Sequence, residues 1–340
     1  MIHFPRRSTR LFLALAALPM IGQTFAFAQH ADHQAQQQKS QGPYEWVTLG
    51  TMGGPMPSAT RGQPANLLVR NGEGHLVDVG DGAASAMVNA GLDYRNLRSI
   101  WISHIHFDHI GGLYGVLGLR LQTRSTSQLT VYGPPGTKQI VAGLIDAMRP
   151  SAKSGFGVPG EVPIDPGASI KVVELDDGAS VDLGDFKVLV SSNTHYSFPA
   201  DSENARYFRS LSFRFDLPER DIVYTGDTGP SDKVTALAKG ADMLVAELID
   251  IDATIANLRR RARQLSPEEA RDMETHLREH HITTVDIGQM AKNAGVKEVV
   301  VTHLAGGGAA SEEGATERYV REIGSQFSGR VRIANDLDRF

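Results

Sequence analysis

The chain has 340 residues, no cysteine and a formal net charge of −5. Without cysteine it forms no disulfide and no thiolate metal site, so any metal must be held by His, Asp or Glu. The acidic balance argues against a nucleic-acid partner, which wants a basic face.

Residues 1–28 read as an export signal. Arg6, Arg7 and Arg10 form a basic start, Leu11 to Ile21 is apolar but too short to span a membrane, and Ala26-Phe27-Ala28 is an A-x-A site that places cleavage after Ala28. The paired Arg6-Arg7 leaves the Sec and twin-arginine routes both open. The expectation is a periplasmic or secreted protein with no stable membrane anchor. Removing the three arginines of the signal takes the formal charge from −5 to −8 and leaves 312 residues, enough for one large domain. Residues 29–44, polar and Gln-rich, read as a flexible leader. Residues 45–340 read as the single domain.

Glu45 to Gly50, Asn66 to Arg70 and Gly74 to Val79 read as short strands separated by turn residues, and Gly82 to Ala90 as a helix. Leu97 to Ile102 is an apolar stretch that reads as a buried strand. Directly after it stands Ser103-His104-Ile105-His106-Phe107-Asp108-His109, with three histidines and an aspartate inside six residues. A helical pattern then opens at Ile110-Gly111-Gly112-Leu113 and runs to Leu121. A strand-to-helix turn is a place where four side chains can converge, and imidazole with carboxylate suits zinc and similar borderline cations.

Leu129 to Tyr132 reads as a strand ended by Gly133-Pro134-Pro135-Gly136, and Thr137 to Met148 as a helix. Residues 149–168 are rich in breakers and read as a loop, a lid over the site. Ser169 to Leu175, Phe186 to Ser191, Leu211 to Phe215 and Ile222 to Thr225 alternate like sheet strands. Met243 to Ala246, helices from about Ser266 and Thr284, strand Val299 to Thr302 and a helix after Ser311 complete the chain. There is no internal repeat at a solenoid period. Two halves, each with strands first and helices after, imply a two-sheet α/β sandwich with helices outside.

Three further candidate ligands follow strand-like segments: His195, Asp227 and His303. Strand ends along one sheet edge are where sites are built. With the run they make five histidines and two aspartates, which suits two metals with one carboxylate bridging.

At this point the chain resembles the metallo-β-lactamase superfamily, in its RNase Z-like and arylsulfatase-like branch. Leu49-Gly50-Thr51, Asp78-Val79-Gly80-Asp81-Gly82, the His104 run, Tyr132-Gly133-Pro134, His195, Thr225-Gly226-Asp227-Thr228 and Thr302-His303-Leu304 look like that branch's successive motifs. The resemblance implies an αββα fold of two mixed sheets flanked by helices. It implies two divalent ions, zinc first, with manganese or iron as alternatives. His104, His106 and His195 would hold one ion, and Asp108, His109 and His303 the other, with Asp227 between them; Asp108 also counts among the catalytic residues. Asp78 would anchor ligands rather than bind metal. The resemblance further implies a proton donor at His281, with His280 as the register alternative, oriented by Glu247 in Ala246-Glu247-Leu248. That place holds a fuller His-Glu-Ala-Thr motif in RNase Z-like enzymes.

RNase Z-like enzymes carry a tRNA-gripping arm between the ligands matching His195 and Asp227. Here residues 196–226 leave no room for one, and with the acidic charge and export signal this sets RNA processing aside. The expected substrate is a small anionic ester, a phosphodiester or sulfate ester, with a lactone, other carboxylic ester or β-lactam as the alternative. Residues 196–209 are expected to line the pocket, with Arg206 or Arg209 receiving an anion. Arg259-Arg260-Arg261 and Arg263 read as a solvated helix face. A metal-holding but non-catalytic or redox protein on this fold, as in flavodiiron oxygen reductases, would have a ligand set richer in carboxylate and a flavin domain. Neither is seen. Oligomeric state stays open, a homodimer included.

Overall fold

The structure, a computed structural model, describes residues 44–261, 265–306 and 314–340. The expected signal and most of the leader lie outside these residues, as does Arg263.

The first sheet runs in chain order. Strands β1 (Tyr44–Gly50), β2 (Ala65–Arg70) and β3 (Glu73–Val79) form an antiparallel meander, and β4 (Leu97–Trp101), β5 (Leu129–Gly133) and β6 (Ile170–Glu174) add in parallel. The second sheet repeats the scheme. Strands β7 (Ser180–Asp182), β8 (Lys187–Ser192), β9 (Leu211–Asp216) and β10 (Asp221–Tyr224) are antiparallel neighbours, followed in parallel by β11 (Met243–Ile249), β12 (Glu298–Ala305) and β13 (Arg330–Ile333).

Each strand's two-residue alternation divides its side chains between two cores. Trp46, Leu68, Val77 and Trp101 face Phe213, Phe215, Tyr224 and Val245 between the sheets. Trp101 stacks on Tyr132 with centroids 4.2 Å apart and meets Phe213 and Phe215 edge-on. The opposite faces are covered by helices. On the first sheet these include α1 (Ala83–Asn89), α3 (Leu113–Gln122) and α4 (Thr137–Ser154). On the second they include α6 (Asp232–Leu237), α9 (Thr284–Ala294) and α10 (Ala315–Gly324). The result is the expected four-layer αββα sandwich. Strands β11 and β12 are buried along almost their whole length because both faces are covered, which is why residues 243–246 and 299–301 read as apolar runs.

The other helices are α2 (Phe107–Ile110), α5 (Glu203–Tyr207), α7 (Ile251–Arg261) and α8 (Pro267–Glu279). Strand β7, helices α5 and α6 and strand β13 are absent from the sequence reading, being too short to show a period. The helix expected to stop at Met148 continues to Ser154 with Pro150 inside it, because Met148 and Ala152 on its next turn are buried. The lid is not seen: residues 155–168 pack away from the histidine run, with Glu161 paired to Arg124 and Arg124 lying over Phe156.

Candidate metal centre

The seven expected donors come together where β4, β8, β10 and β12 end. Asp78, in the left-handed backbone region at φ 56°, organises them. Its carboxylate accepts from the Ser103 backbone N–H at 2.7 Å, the Ser103 hydroxyl at 2.8 Å, the Tyr224 hydroxyl at 2.7 Å and His109 Nδ1–H at 2.8 Å. Asp78 is thus saturated, and the last contact turns His109 Nε2 toward the cluster. Ser103 Oγ, its own proton spent on Asp78, accepts from His104 Nδ1 at 3.0 Å and frees His104 Nε2 in the same way. His195 donates Nδ1–H to the His280 carbonyl at 2.9 Å, so its Nε2 is also a lone pair.

The ring nitrogens cluster as this orientation requires. His106 Nδ1 lies 3.1 Å from both His104 Nε2 and His195 Nε2. On the other side, Asp227 Oδ2 lies 3.3 Å from His109 Nε2 and 3.1 Å from His303 Nε2, and Asp108 Oδ2 lies 3.5 and 3.7 Å from the same atoms. Asp227 Oδ2 also stands 4.0 Å from His104 Nε2, which places this carboxylate between the two groups. His109 Nε2, His303 Nε2 and Asp227 Oδ1 are buried and make no hydrogen bond among the described residues. Buried donor atoms crowded together without hydrogen bonds are costly unless protons or a cation sit among them. The site therefore fits divalent metal ions, as this fold implies. His104-His106-His195, Asp108-His109-His303 and His104-His109-Asp227 are each close enough to hold one.

The electrostatics of the protein groups agree. Burial pushes His104 and His195 well down, keeping them neutral. Burial would also lower His303, but the Asp227 and Asp108 carboxylates outweigh it and hold His303 up at about 10. Asp227 is held well below the usual carboxylate range by His303 and His109 in spite of its burial. The carboxylates thus call for positive charge beside them.

Two local features build this convergence. Gly226 sits at φ 59°, and a Cβ there would meet Leu211 O and Ser103 Cβ at 2.9 Å, so the Thr225-Gly226-Asp227 turn needs glycine. Between β11 and β12 the register slips after Ala246, so that Thr302 and His303 lie opposite Glu247 alone. This bulge, with His303 at φ 44°, brings Glu247 and His303 to the site together.

Glu247 accepts from the Thr228 backbone N–H through Oε1 and from His281 Nδ1–H through Oε2, both at 2.6 Å. Burial raises Glu247. Burial alone would lower His281, but Glu247 beside it reverses the direction. His281 and not His280 therefore faces Glu247, while His280 contributes its carbonyl to His195. Thr283 caps α9 in a capping box with Asp286, and His281 just before it is buried.

His276, absent from the sequence reading, joins the cluster from α8. Its ring lies 4.9 Å from His195 and 5.2 Å from His281, and its Nδ1 is 2.9 Å from His280 Nδ1. The spacing His276, His280, His281 over the last turn of a helix is the signal that could have revealed it. Arg209 is not free for an anion, since it pairs with Asp176 at 3.1 Å, and Arg206 is exposed on α5. Arg259 pairs with Glu274 across α7 and α8.

The sequence profile described as the beta-lactamase superfamily domain matches residues 77–304. The ribonuclease Z of Mycobacterium avium (strain 104) is 28% identical over 298 residues, covering 86% of this chain and 96% of that protein. Among solved structures, the metallo-β-lactamase fold protein YhfI from Bacillus subtilis superposes with a TM-score of 0.60 at 20% identity, covering 88% of this chain and 99% of that one. Human tRNase Z, short form, does so with a TM-score of 0.58 at 22% identity, covering 87% and 98%. The structural likenesses establish the fold alone.

The ribonuclease Z relatives correct two expectations: that RNA processing is set aside in favour of a small-molecule ester, and that no nucleic acid is a partner. The reasoning failed because formal charge summed over a chain is a weak filter. A nucleic acid responds to the local field around the site and not to the total. The lack of room for an arm after His195 is borne out, since residues 196–210 hold only a loop and the five-residue α5. That absence does not decide the substrate.

Proposed function

Since the chain belongs to the β-lactamase superfamily and is a metal-dependent hydrolase of ester bonds, we propose that it is an RNA phosphodiesterase of the ribonuclease Z kind. The observation that carries the chemistry is the Glu247–His281 pair beside a seven-donor cluster. In this reading His104, His106 and His195 would hold one ion, Asp108, His109 and His303 a second, and Asp227 would bridge them. Zinc suits a donor set of five imidazoles and two carboxylates. Such ions supply a nucleophile at neutral pH and a Lewis acid against the charge developing on the phosphoryl oxygens.

The chain's own residues then have distinct tasks. Asp78 and Ser103 fix the ring orientations of His109 and His104, and the His280 carbonyl fixes His195. Glu247 holds His281 by Nδ1, leaving Nε2 to carry a proton to the departing ribose oxygen. Export directed by residues 1–28 remains part of the proposal.

The test is cleavage of a 3′-extended precursor tRNA by zinc-loaded protein, residues 29–340, beside Asp227→Ala. The expected result is endonucleolytic cleavage by the parent that the variant loses. RNA left intact by the parent overturns the proposal.

A further inference from the structure

We propose that the cavity in front of His106 is a stacking subsite for the nucleobase next to the scissile phosphate. This rests on the RNA reading above. The cavity is ≈380 Å³, within the range of about 300–1,000 Å³ that small ligands occupy. His106 belongs both to its wall and to the donor cluster, so a group bound there lies against the reacting centre.

Its walls are aromatic. Tyr196 stands perpendicular to His106 with centroids 5.4 Å apart, and Phe198 lies 5.6 Å from Tyr196 at 30°. Phe208 backs Phe198 at 5.9 Å. Opposite them, His276 meets His106 at 5.9 Å and 78°. Phe198 keeps 37% of its surface exposed, so core packing does not account for its place at the mouth. Among the described residues, no Asp, Glu, Lys or Arg lines this cavity. It therefore suits a neutral aromatic ring and not a phosphate.

The polar end favours a base over a plain hydrocarbon ring. Between His276 Nδ1 and His280 Nδ1, 2.9 Å apart, one nitrogen donates and the other accepts. In the neutral rings the two Nε2 atoms then have opposite roles, one N–H and one lone pair. His276 and His280 both line the cavity, and His280 Nε2 is buried without a hydrogen-bond partner among the described residues. A nucleobase edge offers matching donors and acceptors, while one of its faces can stack on this aromatic wall whatever the base.

The experiment is calorimetric titration of zinc-loaded protein with adenosine 5′-monophosphate and, in parallel, ribose 5-phosphate. These share sugar and phosphate and differ in the base. The nucleotide is expected to bind about tenfold more tightly, the gain that stacking on one aromatic face gives. Phe198→Ala should abolish most of that preference while leaving ribose 5-phosphate binding unchanged, and Phe198→Tyr should retain it. Equal affinities in the parent, or undetectable binding of both ligands, overturn the subsite. So does a preference that survives Phe198→Ala. A base preference with precursor tRNA uncut would leave the subsite standing and remove the RNA-cleavage reading. Cleaved tRNA with equal affinities would do the reverse.

Discussion

Replacing Glu247 with Gln tests whether His281 acts as a proton donor. Two donors point at one carboxylate: the Thr228 N–H and His281 Nδ1–H, each at 2.6 Å. A glutamine has one acceptor oxygen and must set its NH₂ against one of them. If the oxygen stays with the Thr228 backbone, His281 loses the charge that supports its protonated form. A buried hydrogen bond to a charged group contributes about 1.5–3 kcal/mol, so cleavage that depends on the proton should fall about 10- to 150-fold. His281→Ala should cost more, about 10²- to 10⁴-fold, because it removes the donor itself. The assay compares precursor tRNA with bis(p-nitrophenyl) phosphate. A ribose oxygen leaves poorly without a proton, whereas p-nitrophenolate leaves readily without one. The losses should appear on RNA and nearly vanish on the p-nitrophenyl ester. Metal content must be measured alongside, because Glu247 Oε2 is also 3.8 Å from His303 Nδ1. Equal losses on both substrates with metal intact would refute the proton-donor role.

Three other outcomes are expected. Asp78→Asn places an amide among four donors and should weaken metal affinity about 10- to 100-fold, read by competition with a chelating dye; unchanged affinity would mean Asp78 does not orient the ligands. His75 is buried against Phe186 with Nδ1 2.7 Å from Ser99 Oγ, and burial pushes its pKa down to about 4. Above about pH 6.5 it is neutral both folded and unfolded, and its contribution is complete. As pH falls from there through 4, the unfolded chain takes a proton that the folded one refuses, and about 2–3 kcal/mol of stability is lost. Urea unfolding at pH 7.5 and 4.5 should show a smaller acid loss in His75→Gln, and identical losses would refute this. Deleting residues 2–28 should keep the protein from leaving the cytoplasm on cell fractionation, and unchanged partition would remove the export proposal.

The run at His104 to His109 was legible because four donors in six residues after a buried strand have few other uses. His195, Asp227 and His303 were legible only as a repeated placement at strand ends. What fixes their geometry was not: the bulge at Glu247 and His303 and the left-handed turn at Gly226 depend on contacts between distant strands. Glu247 and His281 came from resemblance, and the register between His280 and His281 needed the fold. His276 escaped notice because a histidine on an otherwise polar helix looks solvated until its neighbours are known. The lid failed because loop composition says nothing of the direction in which a segment packs. The whole-chain charge misled about nucleic acid for a related reason, since a sum carries no positions.

The most direct test is the number of zinc ions bound per chain at equilibrium, counted in the parent and in His195→Ala. Two ions in the parent, falling to one in the variant, are expected from the division of donors around Asp227. A parent that binds a single ion, or a variant that still binds two as tightly, would contradict the dinuclear centre on which the proposed chemistry depends.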